Sequence, residues 1–307
     1  MKRGLVISGG GSTGAFAGGI LEYLIKEKGL EWDIVVGTST GSLLVPLVSI
    51  NKIDELKDAY TNVTNSDIFS ISPYNKRNKF KIFNILKRLI LGKTSVGDAS
   101  KLRKKITSIF TEDDYNKTVK MEKYIYVSTT NMTKSKVEYK CQRSENYNDF
   151  CDWMFASASF PILFDIVRKN GYEYLDGGIV EPIPLQKAVD EECDIIDVIV
   201  LSAEQINDNP KSENMFDVAI NTLKIMREEI NSDDLEIGKL NGEIMNIKIN
   251  IYRLPKDLTN NSIIFNKEEM IKWWKEGYEF AKQPVRTIEL QNSKKSKNYK
   301  IINDSKI

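Results

Sequence analysis

The sequence predicts an α/β fold, a sheet covered by helices on both faces. Two observations carry that expectation. Short apolar runs such as GLVIS (4–8), WDIVVG (32–37) and IIDVIVLS (195–202) alternate with stretches whose apolar residues recur at helical spacing. Glycine-rich turns follow the first two runs, as expected where a strand feeds a helix.

In chain order, GLVIS ends in glycines and runs into GAFAGGILEYLIKEKG, a helix that Gly29 closes. WDIVVG is the second strand, and SLLVPLVSI (42–50) starts a buried helix. YIYVST (124–129) and KVEY (136–139) read as a strand pair. DFCDWMFASASFP (149–161) reads as a helix that stops before Pro161, since the residue preceding proline disfavours helical backbone. GYEYLDGG (171–178) is a strand entering a loop, and IKINIYRL (247–254) a further strand. ENMFDVAINTLKIMREEI (213–230) and NKEEMIKWWKEGYEFAKQ (266–283) read as amphipathic helices. Of the adjacent Trp273 and Trp274, at least one is expected in the core, because neighbouring helix positions face different ways. The Lys/Asn/Ser-rich segment 291–307 reads as a frayed tail.

Composition narrows the function. Lys+Arg 44 against Asp+Glu 43 gives no global field, so net charge does not point to nucleic acid. Cys141, Cys151 and Cys193 lack C-x-x-C spacing and read as reduced thiols of an intracellular protein. The N-terminal MKRGLVISGG reads as a first strand and not a signal peptide. No apolar run approaches the ~18 residues of a membrane-spanning helix. The chain has no histidine, which removes His-based zinc sites and the Ser-His-Asp triad.

Gly9, Gly11 and Gly14 spell G-x-G-x-x-G, which a dinucleotide site would also use. Such a site needs an acid at the carboxyl end of the second strand, and Asp33 sits at that strand's start. A P-loop fails because Ala15 follows Gly14. GTSTG (37–41) is G-x-S-x-G between an apolar strand and an apolar helix, the setting of a nucleophile elbow; the plainer reading is a tight turn with a capping serine. Read as an elbow, Gly37 and Gly41 let the backbone turn sharply around an exposed Ser39. The N–H groups of Gly9, Gly10 and Gly11 would then receive the oxyanion of an acyl-transfer intermediate. Without imidazole, the base must be a carboxylate or a lysine. Asp176 stands out, at the end of an apolar-aromatic strand before Gly177 and Gly178, although an ordinary Asp-Gly turn has the same look.

GGGSTG (9–14), GTSTG (37–41), ASASFP (156–161) and DGG (176–178), in this order, resemble the patatin-like phospholipases, whose catalytic domain is also similar to cytosolic phospholipase A2. The resemblance covers about residues 4–205, and GYEFA (277–281) looks like the family's last helix. It implies a three-layer α/β/α fold with a mixed, mostly parallel sheet. It also implies Ser39 as nucleophile, Asp176 as base, an oxyanion hole at Gly9, Gly10 and Gly11, and no metal or other cofactor. The substrates it implies are acyl esters of phospholipids and related lipids. The family often has Arg or Lys where this chain has Thr13, which bears on substrate preference.

Residues 1–205 are thus expected to form the catalytic core, with 206–290 completing the same domain. Segment 73–105 is strongly basic, with Asp98 its only acid, and Phe80, Ile82, Phe83, Ile85, Leu86, Leu89 and Ile90 make an apolar face. It reads either as a cap helix packed on the core or as a membrane-facing helix, with Lys79, Lys81, Lys87 and Arg88 toward anionic lipid. A cytoplasmic setting with peripheral membrane contact is expected. Two alternatives stay open: a soluble esterase or thioesterase with the same dyad, and a catalytically silent lipid- or nucleotide-binding protein.

Overall fold

The computed structural model describes residues 1–75, 80–208 and 211–288. The elements in chain order are β1 (Arg3–Ile7), α1 (Gly14–Lys26), β2 (Ile34–Thr38), α2 (Thr40–Ser49), α3 (Ile53–Thr61), α4 (Asn65–Ile68) and α5 (Ile82–Ile90). Then come α6 (Ser100–Ile109), α7 (Glu112–Lys120), β3 (Tyr124–Asn131), β4 (Lys136–Cys141), α8 (Tyr147–Ser157), β5 (Val167–Lys169) and β6 (Tyr172–Asp176). The last are α9 (Leu185–Asp190), β7 (Ile195–Val200), α10 (Met215–Ile244), β8 (Lys248–Arg253), α11 (Lys267–Phe280) and β9 (Arg286–Ile288).

Among the described residues the strands form one sheet in the order β5-β6-β3-β2-β1-β7-β8-β9, with β4 also paired to β3. The five central strands β3, β2, β1, β7 and β8 run parallel, β4, β6 and β9 pair antiparallel to them, and β5 pairs antiparallel to β6. Alternate residues of the central strands feed two cores, as the two-residue period requires. Leu5, Ile7 and Val35 join the core beneath α1, α2, α8 and α11, while Val6, Ile34 and Val36 join the one beneath α9 and α10. This is the expected three-layer α/β/α sandwich with a mixed, mostly parallel sheet.

The parallel order of β1 and β2, with Ile7 opposite Gly37, puts both glycine loops at the same end of the sheet. At the other end, Asp33 Oδ2 accepts the Arg3 N–H at 2.8 Å. The acid that a ribose would need is therefore tied down at the wrong end of its strand.

The core expectation for the tryptophans holds, and both Trp273 and Trp274 are buried, because α11 has neighbours on more than one side. Trp274 lies over Gly18 and Gly19 of α1 and donates Nε1–H to Glu22 at 2.6 Å. Two other expectations change on folding. The helix expected over 213–230 extends to Ile244, since Gly238 and Gly242 let it pack against Leu185 and Ile249. The basic segment forms α5, and Arg88 is buried in place of facing outward: with Ile85 it makes the inner side of the helix and pairs with Asp165 at 3.0 Å. Lys81 is half-buried, Lys87 is exposed, and Lys79 and the tail at 291–307 lie outside the described residues. All three cysteines are free thiols.

A methyl group on Gly19 would lie 1.9 Å from the Trp274 carbonyl oxygen, which is backbone and has nowhere to go. Gly19→Ala should therefore push α11 off α1 and cost about 1–3 kcal/mol, read as a lowered urea midpoint. An unchanged midpoint would mean the two helices are not in close contact.

Candidate active site

The site forms where two strands meet end to end along one edge of β3. β2 runs up that edge and stops at Thr38, opposite Ser128. β6 runs down the same edge and stops at Asp176, opposite Thr129. Consecutive β3 residues thus fix the backbone just before Ser39 and at Asp176, although 137 positions separate the two in sequence. Ser39 Oγ donates to Asp176 Oδ2 at 2.7 Å.

The elbow at Ser39 has φ 55° and ψ −120°, a conformation costly for any residue with a Cβ and enriched at functional sites. The flanking glycines make that turn possible by close approach. A Cβ on Gly37 would lie 2.4 Å from Gly41 backbone, and one on Gly41 2.2 Å from the Ile7 carbonyl oxygen. The ASASFP motif acts as a clamp. Ser157 Oγ accepts the Ser39 N–H at 2.9 Å, and the Ser159 carbonyl accepts the Asp176 N–H at 3.0 Å. The motif's spacing does not reveal these roles, because the partners of its serines lie at the ends of two distant strands.

Asp176 is 3% and Ser39 8% exposed. Asp176 Oδ1 accepts the Gly178 N–H at 2.8 Å, so the DGG turn orients the carboxylate toward the serine. Gly177 packs on Ser128, where a Cβ would meet Oγ at 2.2 Å, and Gly14 sits against Thr40 and Tyr60. Burial pushes the Asp176 carboxyl up to about 6, while the Ser39 hydroxyl, the Gly178 N–H and the Arg227 charge hold it back.

The first loop is only partly as expected. Gly9 lies against Ser39, but its N–H donates to the Pro182 carbonyl at 3.1 Å, so it positions the loop and offers no free donor. Gly11 has φ +60°, and a side chain there would collide with the Ser262 carbonyl oxygen. The Gly10 and Gly11 N–H groups donate to no protein acceptor among the described residues, which leaves both available to an anion. Thr13 Oγ1 donates to the Gly10 carbonyl at 2.8 Å and braces the same turn. Ser39, Asp176 and Gly11 open onto a chamber of about 100 Å³ with an almost wholly apolar wall that includes Leu43, Leu47, Ile106, Phe110 and Phe164. Among the described residues no cluster of His, Cys, Asp and Glu has the arrangement to hold a metal ion.

A sequence model of the patatin-like phospholipase family matches residues 5–189, more than half of the chain. The probable lipid hydrolase 463L of Invertebrate iridescent virus 6 is 28% identical over 192 residues, which are 60% of this chain and 62% of that protein. The chain therefore spans less than two thirds of that curated relative. Among solved structures, VipD from Legionella pneumophila aligns with a TM-score of 0.49 at 16% identity, over 94% of this chain and 68% of that one.

Burying a carboxylate with a raised pKa has a consequence for stability. The folded protein holds the Asp176 proton more tightly than the unfolded chain, where the value is about 3.9. Stability from this carboxyl is full below about pH 4 and is lost as pH rises through about 6. Asp176→Asn should thus raise Tm by roughly 2–6 °C at pH 8 and change it little at pH 4. A lowered Tm at pH 8 would show that the ionised carboxylate stabilises the fold.

Proposed function

The chain belongs to the patatin-like phospholipase family, and from that premise we propose that it is a serine acyl hydrolase of fatty-acyl esters of phospholipids or related lipids. The observation that carries this reading is the 2.7 Å hydrogen bond from Ser39 Oγ to a buried carboxylate, at the mouth of an apolar chamber. Such a chamber matches an acyl chain, which gains about 0.8 kcal/mol per buried methylene on leaving water.

In this mechanism Ser39 Oγ attacks the ester carbonyl carbon as its proton passes to Asp176 Oδ2. The carbonyl oxygen takes up the electron pair and is received by the Gly10 and Gly11 N–H groups, each such donor contributing roughly 10²–10³ in rate. Collapse breaks the bond to the alcohol, which leaves with the proton from Asp176, and Ser39 retains the acyl group. Water then gives a proton to Asp176 and attacks the acyl carbon. A second collapse releases the fatty acid and returns the proton to Ser39. A carboxyl near 6 is well matched to this double duty at neutral pH, where an ordinary aspartate is too weak a base.

Peripheral contact with lipid is part of the same reading. Phe83 and Ile90 of α5 are 81% and 80% exposed, with Leu86 and Leu89 beside them and Lys87 on the same helix. That apolar face beside basic residues suits an anionic bilayer interface. No described helix is long and apolar enough to cross a membrane.

A lipid-like fluorophosphonate should give one adduct on the wild-type protein by intact mass, none on Ser39→Ala, and one formed at least ~10³-fold more slowly on Asp176→Asn. In the same preparations kcat/KM should fall on the acid side with a midpoint near pH 6, as Asp176 takes up its proton. Full labelling of Ser39→Ala would remove Ser39 from the mechanism. Turnover confined to short soluble esters would move the substrate class from lipids to small esters. For the membrane contact, Phe83→Asp with Ile90→Asp should reduce sedimentation with anionic vesicles about tenfold or more. Undiminished sedimentation would exclude α5 as the contact.

A further inference from the structure

The chain leaves the Asp176 turn through Glu181-Pro182-Ile183-Pro184, whose last three residues are buried. Carbonyls of this segment reach both halves of the site. The Glu181 carbonyl accepts from Thr38 Oγ1 at 3.2 Å, one residue before Ser39. The Pro182 carbonyl accepts the Gly9 N–H at 3.1 Å, just before the free donors of Gly10 and Gly11. The two prolines fix φ and carry no N–H, and the Glu181 N–H is spent on the Gly177 carbonyl at 3.0 Å. Ile183 therefore holds the segment's remaining backbone donor. It goes to Asp234 of α10, whose Oδ2 accepts it at 3.1 Å.

Asp234 is a costly acceptor. The charged and titratable groups around it are Glu181 of the segment, Asp233 on its own helix, Tyr139 of β4, and Asp190 and Lys187 of α9. Lys187 is paired with Glu191, and the Tyr139 hydroxyl donates to Glu181. Burial, with repulsion from Glu181 and Asp233, pushes the Asp234 carboxyl up to about 7, while the Ile183 N–H holds it back. Its contribution to stability is full below about pH 4 and is lost as pH rises through about 7. Neutral contacts already dock α10 at this level. Gly238 packs on Leu185, and Asn241 Nδ2 donates to Gln186 Oε1 at 2.5 Å. What Asp234 adds to them is the acceptor for Ile183.

We propose that Asp234 is a positioning residue of the site. By holding Ile183 it sets the Glu181 and Pro182 carbonyls, and through them the Gly9 turn and the strand end before Ser39. The assignment rests on the reading of Ser39 as the nucleophile. Asp234 lies beyond residues 5–189, so α10 supplies a support for the dyad from outside the part of the chain that matches the family. Neither Asp234 nor residues 181–183 line the apolar chamber, so the effect falls on the reaction step more than on substrate binding.

The test uses the full chain with Asp234→Ala, Asp234→Leu, which keeps the volume without an acceptor, and Asp234→Asn, which keeps an acceptor without the charge. In the Ala and Leu variants kcat should fall about tenfold to a hundredfold with KM changed less than threefold, as expected for a small misplacement of reacting groups. Asp234→Asn should recover most of that loss, and its Tm at pH 8 should be no lower than that of the wild type. In residue-resolved hydrogen exchange the Gly9 amide should open at least tenfold faster in the Ala and Leu variants. The Ser8 amide, bonded to the Ile199 carbonyl of β7, should not change. A lowered Tm with kcat and Gly9 exchange unchanged would make Asp234 a support of the fold alone and overturn the proposal. Asp234→Asn as slow as Asp234→Ala would overturn it too, because the charge and not the acceptor would then matter. If the wild type turns over no ester, the Ser39 reading fails separately, and unchanged Gly9 exchange in the variants would still overturn the link from Asp234 to the first loop.

Discussion

The structure depends on one edge of β3. There a parallel strand from below and an antiparallel strand from above end on adjacent residues, Ser128 and Thr129. Neither strand end could shift by a residue without breaking ladder hydrogen bonds and turning its side chains to the wrong face. The Ser39–Asp176 contact follows from that register. The glycines and the Ser157 and Ser159 bonds hold the two strand ends close enough for a 2.7 Å hydrogen bond.

On the proposed reading of Asp176 as the base, burial is what brings a carboxyl near neutrality in a chain that has no histidine. Taking Asp176 out of water raises its pKa to about 6, and the hydrogen bonds to Oδ1 and Oδ2 keep it from rising further. The site stores unfavourable terms in the buried carboxylate, the strained φ of Ser39 and the donors of Gly10 and Gly11 left without acceptors. A site assembled for its task at the expense of stability has this profile. Compensation lies elsewhere in the fold. Asp197, fully buried, is held by Arg3 Nε, Trp32 Nε1 and Asn250 Nδ2, and the glycine-stripped contact of α1 with α11 brings Trp274 onto Glu22.

The surroundings of Ser39 and Asp176 divide into spaces of different chemistry. The apolar chamber shares Phe160 and Ile263 with a second, polar chamber beyond the Gly10–Gly11 turn. Phe80, just before α5, packs at a tilt against Tyr74 and against Phe216 of α10, and it lines the polar chamber.

What the sequence determined by itself was everything carried by local pattern. Apolar periodicity marks most of the strands and helices, and the glycine spacing marks both loops. The absence of histidine leaves carboxylates and lysines as the possible bases, and Asp176 is the carboxylate set at a strand end before two glycines. These are legible because a turn, a strand or a missing residue type is a property of a few neighbouring positions. Tertiary structure alone decided which donors are free. Gly9 looks like Gly10 in sequence, and only the approach of Pro182 takes its N–H out of use. Arg88 looks like Lys87 until Asp165 draws it inward, and Lys224 and Arg227 look like any charged helix face until the fold closes over them. Hydrogen-bond satisfaction and desolvation depend on partners more than a hundred positions away for Gly9, and short-range spacing carries no record of them.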